Sequence, residues 1–251
     1  FRQASEQLDV RPVIAHASYL INLGAPDEAL HQRSQAALGE ELDRAETLGL
    51  AGLVLHPGSY TTTSEEEGLK RIATGLVTVL AKRTERRAML LLEHTAGQGT
   101  NLGHSFEQLR DIVSLTEDAT GVQVGLCLDT CHLVAAGYEL SSEAGYTETM
   151  QQLDACLGFD RVRAIHLNDS KTPLGSRIDR HMHIGGGYVG MNGFRQILTD
   201  PRLQNIPMVL ETPKSGPATP ASTEPDPLDL ENLSTLRSLL ANRSACGVPT
   251  E

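Results

Sequence analysis

Short apolar runs alternate with amphipathic segments along most of this 251-residue chain. The runs are almost uniformly apolar, which is typical of strands in a parallel sheet covered on both faces. We predict strands at Pro12–Ala15, Gly52–Leu55, Ala88–Leu92, Val122–Leu128, Val162–Ile165 and Pro207–Leu210.

Helical periodicity follows most of these strands. Ser64 with Glu67 three residues later is a capping-box pattern at a helix start. We predict the end of one helix at Phe1–Leu8 and further helices at Pro26–Leu48, Ser64–Lys82, Ser105–Leu115, Thr147–Leu157, Gly193–Thr199 and Leu228–Ala241, with a loop over Thr130–Tyr146. The alternation of strand and helix indicates an α/β domain.

Every predicted strand is closed by a residue that can bind a metal. These residues are His16, His56, Glu93, Asp129, His166 and Glu211. The carboxyl ends of the strands of a (β/α)₈ barrel converge on one rim, where active sites lie. We therefore predict a single TIM (β/α)₈ barrel domain over 1–251 that lacks its first one or two βα units in this chain, with a mobile insertion at 212–227 and a frayed tail at 244–251.

His132, Asp179 and His181 complete a set of nine potential ligands. One catalytic zinc takes three protein ligands, so nine indicate two or three ions of zinc, manganese or iron, with Glu93 as a possible bridge. A single histidine at a strand end is more often a structural residue than a metal ligand. Six His, Asp or Glu residues, one at the end of each predicted strand, favour metal binding instead. His183 is an alternative to His181, which we prefer because it lies beside Asp179.

Composition narrows the class of protein only slightly. The net charge of −11 argues against a large nucleic-acid footprint, although three Zn²⁺ would offset six of these charges at one rim. No apolar run approaches the roughly 20 residues of a membrane span. We read the four cysteines as free thiols of a reducing compartment. We expect an intracellular protein, located in the cytoplasm if bacterial and in the nucleus or mitochondrion if eukaryotic.

A long polar loop follows His166 and carries Lys171, Arg177 and Arg180. Long loops rich in such residues are usually functional. Tyr19 and Leu20 either pack beneath their own loop or project as a wedge for a stacked duplex. The glycine runs GQGTN and GGGYVG are weak phosphate-loop signals, since no Lys-Ser/Thr follows. We expect His31 and His104 to be surface residues.

Several long motifs carry a family resemblance: HPGSY, LEHTAGQGTNLG, CLDTCHLVAAGYEL, HLNDSKTPLGSRIDRHMHIGGGYVG and LETP. Together they resemble the endonuclease IV family of apurinic/apyrimidinic endonucleases, from about His16 to Glu211. The resemblance implies a TIM barrel with three zinc ions that cleaves double-stranded DNA 5′ to an abasic site. The products would be a 3′-hydroxyl and a 5′-deoxyribose phosphate, and 3′-phosphodiesterase repair activity is also implied.

The same resemblance distributes the potential ligands over three ions. The first ion would be held by His16, His56 and Glu93; the second by Glu93, Asp129, His166 and Glu211; the third by His132, Asp179 and His181. Glu93 and Glu211 would be the catalytic carboxylates. Tyr19 and Leu20 would enter the DNA, with Lys171, Arg177 and Arg180 on its phosphates, and we expect a monomer.

Two other functions remain open at this point. A sugar isomerase or epimerase of the same barrel type also places His, Asp and Glu at strand ends, usually around one or two ions. It would have little use for the third ligand set. A DNA-damage binding module without catalysis is the other alternative, and assay of an abasic-site duplex would separate it from a nuclease.

Overall fold

The fold is described from a computed structural model, which covers residues 1–83, 87–216 and 224–241. Within these ranges the strands are β1 (Ile14–His16), β2 (Gly52–Leu55), β3 (Gly58–Ser59), β4 (Met89–Glu93), β5 (Asn101–Leu102), β6 (Gly125–Asp129), β7 (Val162–His166), β8 (Asp169–Ser170), β9 (His181–Met182) and β10 (Met208–Val209). The helices are α1 (Arg2–Gln7), α2 (Glu28–Leu48), α3 (Glu65–Leu80), α4 (Phe106–Thr120), α5 (Thr130–Ala136), α6 (Glu143–Cys156), α7 (Gly190–Thr199) and α8 (Pro227–Ala241), with a 3₁₀ turn at Phe159–Arg161.

Six strands form one parallel sheet in the order β1-β2-β4-β6-β7-β10. Its strands follow one another in chain order, and the connections between them carry the helices, as expected for successive βα units. The architecture is a six-stranded part of a TIM barrel, which confirms the predicted fold class. Two short antiparallel pairs, β3–β5 and β8–β9, lie in the loops at the carboxyl ends.

Side chains alternate between the two faces of the curved sheet. On β2, Leu53 and Leu55 pack in the large core beneath the helices, whereas Val54 belongs to a small cluster inside the barrel. On β4, Leu91 joins Val54 in that inner cluster. Both faces are therefore apolar, which explains the continuous apolar runs. Each fully buried leucine stabilises the fold by about 1.5–3 kcal/mol.

Local capping sets the helix boundaries. The Ser64 side chain accepts from the amide of Glu67, as the capping-box pattern predicted. Asp27 caps α2, so that helix begins at Glu28 rather than at Pro26. Helix α4 extends beyond the predicted Leu115 to Thr120, where Gly121 adopts a φ of 64°.

The predicted loop over Thr130–Tyr146 is wrong in two places. Residues Thr130–Ala136 form α5, because the Asp129 side chain accepts from the amide of His132 at 3.0 Å and caps a short helix. Helix α6 begins at Glu143, where Ser142 provides the cap, rather than at Thr147.

The expectation that His31 is a surface residue is also wrong. It is only 4% exposed, and its Nε2 lies 3.1 Å from the Arg71 carbonyl oxygen across α2 and α3. His104 is half-buried. His31 is thus a satisfied packing residue between two helices.

The predicted insertion at 212–227 and tail at 244–251 are described only in part. Lys214 Nζ donates to Asp229 at 2.6 Å, and Ser215 donates to Asp226 at 2.8 Å. Residues 217–223 and the predicted tail lie outside the described residues. In the described parts of the chain, helices that are long and apolar enough to cross a membrane are absent.

Candidate metal centre

Glu93 lies at the centre of the rim formed by the strand ends. It closes β4, is fully buried, and is approached by four imidazoles. Its Oε2 atom faces β1 and β2, and its Oε1 atom faces the later units. Because the two oxygens point to different neighbours, this carboxylate joins two halves of the site. The eight other ligand-type residues predicted from the sequence lie around it or next to its direct neighbours.

The first ligand group contains His16, His56 and Glu93. Nε2 of His16 lies 2.9 Å, and Nε2 of His56 3.0 Å, from Glu93 Oε2. The opposite nitrogen of His16, Nδ1, is 2.7 Å from the Ala17 carbonyl oxygen. This backbone contact orients the ring and leaves Nε2 facing the site, an arrangement common for metal-binding histidines.

The second ligand group contains Glu93, Asp129, His166 and Glu211. Nδ1 of His166 lies 3.1 Å from Glu93 Oε1 and 3.0 Å from Glu211 Oε2. Asp129 Oδ2 is 3.8 Å from the same nitrogen. Parallel pairing of β6 with β7 aligns Asp129 with His166, so the sheet itself places these two residues side by side.

The third predicted set, His132, Asp179 and His181, is also brought together. His132 Nε2 lies 3.2 Å from Asp179 Oδ2, and His181 Nε2 lies 3.3 Å from Asp179 Oδ1. His132 comes from α5, Asp179 from the loop between β8 and β9, and His181 from the start of β9. Two further groups, which were not expected from the sequence, also lie here: Asp129 with His132 and His181, and Cys131 with Asp179 and His181.

The orientation of two imidazoles tests whether the site suits a cation. Nδ1 of His132 donates to the His94 carbonyl oxygen at 2.9 Å, and Nδ1 of His181 donates to the Glu211 carbonyl oxygen at 3.1 Å. Their Nε2 atoms are buried and lack a hydrogen-bond partner among the described residues. Each Nε2 faces carboxylate oxygen instead. A divalent ion between imidazole nitrogen and carboxylate would satisfy both, so the donor set fits zinc.

The electrostatics agree with a site built for positive charge. Burial alone would raise the pKa of Glu93, but His56 and the imidazoles hydrogen-bonded to the carboxylate hold it well below its usual range. Burial would likewise lower the pKa of His181, yet the nearby Asp179 carboxylate raises it to about 9. The buried Glu93 carboxylate therefore stays ionised beside these imidazoles.

Asn168 is a supporting residue that sequence reasoning missed. It is fully buried, and its Nδ2 donates to Asp129 Oδ2 at 2.6 Å. Its Oδ1 accepts from the backbone amide of Glu211 at 2.8 Å. One amide thus links two members of the second ligand group. The only signal in the sequence is its position two residues after His166, on the same face of an extended segment.

Gln98, within the run GQGTN, is a second missed residue. Its Oε1 accepts from the backbone amide of Asp179 at 2.9 Å. This run therefore holds a ligand-bearing loop in place. His183, the alternative to His181, faces away from the ligand groups, with Nδ1 3.1 Å from Asn232 Nδ2.

The residues predicted to contact DNA are exposed near the rim. Tyr19 is 89% and Leu20 70% exposed, so two neighbouring large side chains are open to solvent. Lys171, Arg177 and Arg180 are also exposed. Because the Tyr19–Leu20 pair projects outward, it does not pack beneath its own loop.

Comparisons with known proteins agree with this geometry. The family profile described as xylose isomerase-like TIM barrel matches residues 1–239. "Probable endonuclease 4" of Chloroflexus aurantiacus is 44% identical over 240 residues, covering 96% of this chain and 81% of that protein. The crystal structure of endonuclease IV from Thermus thermophilus has a TM-score of 0.79 at 37% identity, covering 96% of this chain and 80% of that one.

A more distant match shows only the shared fold. A D-tagatose 3-epimerase-like protein has a TM-score of 0.72 at 16% identity, covering 98% of this chain and 83% of that chain. The resemblance read from the motifs is confirmed by the nearer relatives. The chain therefore belongs to the endonuclease IV family of xylose isomerase-like TIM barrels.

Proposed function

We propose that this chain is a zinc-dependent DNA-repair endonuclease that hydrolyses the phosphodiester 5′ to an abasic site. The observation that carries the proposal is that Glu93 and eight other ligand-type side chains gather at one rim, where they can be divided into three sets. Membership of the endonuclease IV family supports a nuclease activity. The abasic substrate, the choice of zinc and the number of ions are inferred from the ligand sets together with the motif resemblance.

The three ligand sets would each hold one zinc ion. His16 and His56 would hold the first ion with Glu93, which would also contribute to the second with Asp129, His166 and Glu211. The third would be held by His132, Asp179 and His181. When bound, such ions neutralise phosphate charge, lower the pKa of water and stabilise a leaving oxygen.

The two catalytic carboxylates have different surroundings. Glu93 is fully buried and positions groups on both sides of the site. The Glu211 side chain is 36% exposed, and its Oε2 atom lies 3.0 Å from His166 Nδ1. This exposure suits Glu211 to orient the attacking water and accept its proton. Water attacks phosphorus, the bond to the 3′ oxygen breaks, and the leaving oxygen takes up a proton to give a 3′-hydroxyl and a 5′-deoxyribose phosphate.

The exposed residues near the rim supply contacts for a duplex. Tyr19 and Leu20 would enter the stack beside the damaged position. Extrusion of an abasic nucleotide costs little, because it has no base to unpair. Lys171, Arg177 and Arg180 would contact phosphates, where a local positive charge matters more than the overall charge of −11. The relatives compared above are bacterial, which supports action in the cytoplasm, and we propose that the protein acts as a monomer.

An incision assay tests the proposal. A duplex with one abasic-site analogue and a 5′ label is incubated with the zinc-loaded protein, and the undamaged duplex serves as control. We expect cleavage of the damaged strand immediately 5′ to the site, with a 3′-hydroxyl that a polymerase extends. Glu93→Gln should retain the fold and lower the rate by about 10³-fold or more.

The incision assay, together with an assay of ketohexose epimerisation, separates the nuclease from the two alternative functions. Retention of the damaged duplex without incision would support a binding module. Epimerisation of a ketohexose without incision would support a sugar epimerase, and near-normal cleavage by Glu93→Gln would remove this carboxylate from the mechanism.

A further inference from the structure

The Asp169 carboxylate is enclosed by backbone amides. Its side chain is fully buried. Oδ1 accepts from the amides of Ser170 at 2.8 Å and Val189 at 2.8 Å, with Gly190 at 3.4 Å. Oδ2 accepts from Gly185 at 2.9 Å and Gly187 at 3.0 Å. Both oxygens of a buried carboxylate are therefore satisfied by main-chain donors.

The run GGGYVG is the segment that wraps around this carboxylate. A Cβ at position 187 would lie 2.7 Å from Asp169 Oδ1 and would collide with the Ser170 carbonyl oxygen. Gly185 and Gly190 have φ angles of 82° and 65°, which favour glycine. Successive amides of this kind form an anion-binding nest, here at the start of α7. The glycine run binds an internal carboxylate, so it is not free to bind a phosphate.

Asp169 also lies at the base of the hairpin that carries two of the proposed ligands. Strand β8 pairs with β9 so that Ser170 is opposite His181. Beyond that pair, the Lys171 amide donates to the Arg180 carbonyl oxygen at 2.9 Å. Asp179 immediately precedes Arg180 on the returning segment. The position of the nest therefore determines where Asp179 and His181 reach the rim.

We propose that Asp169 is a positioning residue, which anchors the 169–182 hairpin through the 185–190 nest and so aligns Asp179 and His181 for the third ion. The metal part of this inference rests on the proposed function. The anchoring part does not, because it depends only on contacts within the protein. The two parts are therefore tested by different measurements.

The test uses Asp169→Asn in the full chain. The NH₂ group of asparagine is a donor, so it cannot accept from the backbone amides of the nest, and the negative charge of the carboxylate is lost. In the metal-free protein we expect hydrogen exchange at the Gly185, Gly187 and Lys171 amides to accelerate about 10- to 100-fold. In the zinc-loaded protein we expect the affinity for one of the three ions to fall about 10- to 100-fold, while the other two stay bound.

Asp200→Asn is the matched control. Asp200 is also buried and accepts from Tyr146 Oη at 2.8 Å and from Arg202, and its hydrogen bonds in the described part of the chain do not involve the proposed ligands. It should lower the melting temperature without changing exchange in the nest or the zinc count. Gly187→Ala, which crowds the same carboxylate, should reproduce the local effects if Asp169→Asn does not fold.

The results for Asp169→Asn test the anchoring role and the metal-positioning role separately. If hydrogen exchange at the nest and hairpin amides is unchanged in Asp169→Asn, the anchoring role is overturned. If this exchange is faster but the zinc affinity is unchanged, the positioning role is overturned. A wild-type protein that binds fewer than three ions would contradict the proposed function. The exchange measurement would still decide whether Asp169 anchors the hairpin.

Discussion

At the scale of single residues, two imidazoles at the rim have a buried nitrogen that faces carboxylate oxygen and lacks a hydrogen-bond partner among the described residues. Imidazole Nε2 atoms of His132 and His181 face the oxygens of Asp179 rather than hydrogen-bond donors. The position at a strand end predicted from sequence six of the ligand-type residues that meet at the rim, because each βα unit brings its last strand residue to the same edge. It could not predict Asn168 or Gln98, whose roles arise from contacts between distant loops.

Asn168 provides the first prediction at this scale. Asn168→Ala removes the donor to Asp129 and the acceptor for the Glu211 amide. We expect zinc affinity at the second ligand group, and with it the cleavage rate, to fall about 10- to 100-fold. Titration of the metal-free protein with zinc measures this change.

Asn232→Ala is the control for this substitution. Asn232 is buried and bonds to Thr212 and Ile184, and its hydrogen bonds within the described ranges do not involve the proposed ligands. The control should lose stability and keep zinc affinity. Equal affinities in the two variants would show that Asn168 has only a packing role.

At the scale of elements, capping residues and hydrophobic runs predicted most helices and strands. The boundaries of α2 and α6 differ because Asp27 and Ser142 each act as the cap. Helix α5 was missed because its cap, Asp129, is also a proposed ligand, and short helices have little periodicity to detect. The small β8–β9 pair was missed because its register depends on the nest around Asp169.

The loop with Tyr19 and Leu20 provides a prediction for an element. Replacing both side chains with alanine should weaken binding of an abasic duplex by about 10- to 100-fold, because apolar surface worth about 1.5–3 kcal/mol is no longer buried against DNA. Zinc content should not change. Leu115→Ala, an exposed position on α4, is the control. Equal binding by the control and the double variant would contradict the wedge role.

The pair Glu117–Arg161 provides a pH-dependent prediction for α4. Burial would raise the pKa of Glu117, but the hydrogen bond from Arg161, at 2.6 Å, lowers it. Because the pKa of Glu117 is lower in the folded state, its ionised form stabilises the fold at any pH above about 4.3, the pKa of Glu in the unfolded chain. This stabilisation is lost as the pH falls through the pKa of the folded state. Glu117→Gln should cost about 1 kcal/mol of unfolding free energy at pH 7 and less at low pH.

Denaturant unfolding of the wild type and of Glu117→Gln, at neutral and at low pH, measures the free energy of unfolding that the substitution costs. Asp118→Asn, an exposed neighbour on the same helix, is the control. A cost that does not change with pH would show that the carboxylate charge is not what stabilises this contact.

At the scale of the whole molecule, the sheet is a six-stranded part of a barrel with its chemistry at one rim. Glu93 and Asp129 are fully buried ionisable groups, so bound ions should stabilise the fold. At a free zinc concentration about 100 times the dissociation constant, one site contributes about 2.7 kcal/mol. We expect chelation to lower the melting temperature by several degrees, and readdition of zinc to restore it.

The measurement that tests the three-set metal centre most directly is the number of zinc ions bound per chain, by native mass spectrometry of the full chain. We expect three ions per chain, and loss of one of them in His181→Ala with the other two retained. One ion per chain in the wild-type protein, unchanged by His181→Ala, would contradict the three-set metal centre and favour the single-ion centre of a sugar epimerase.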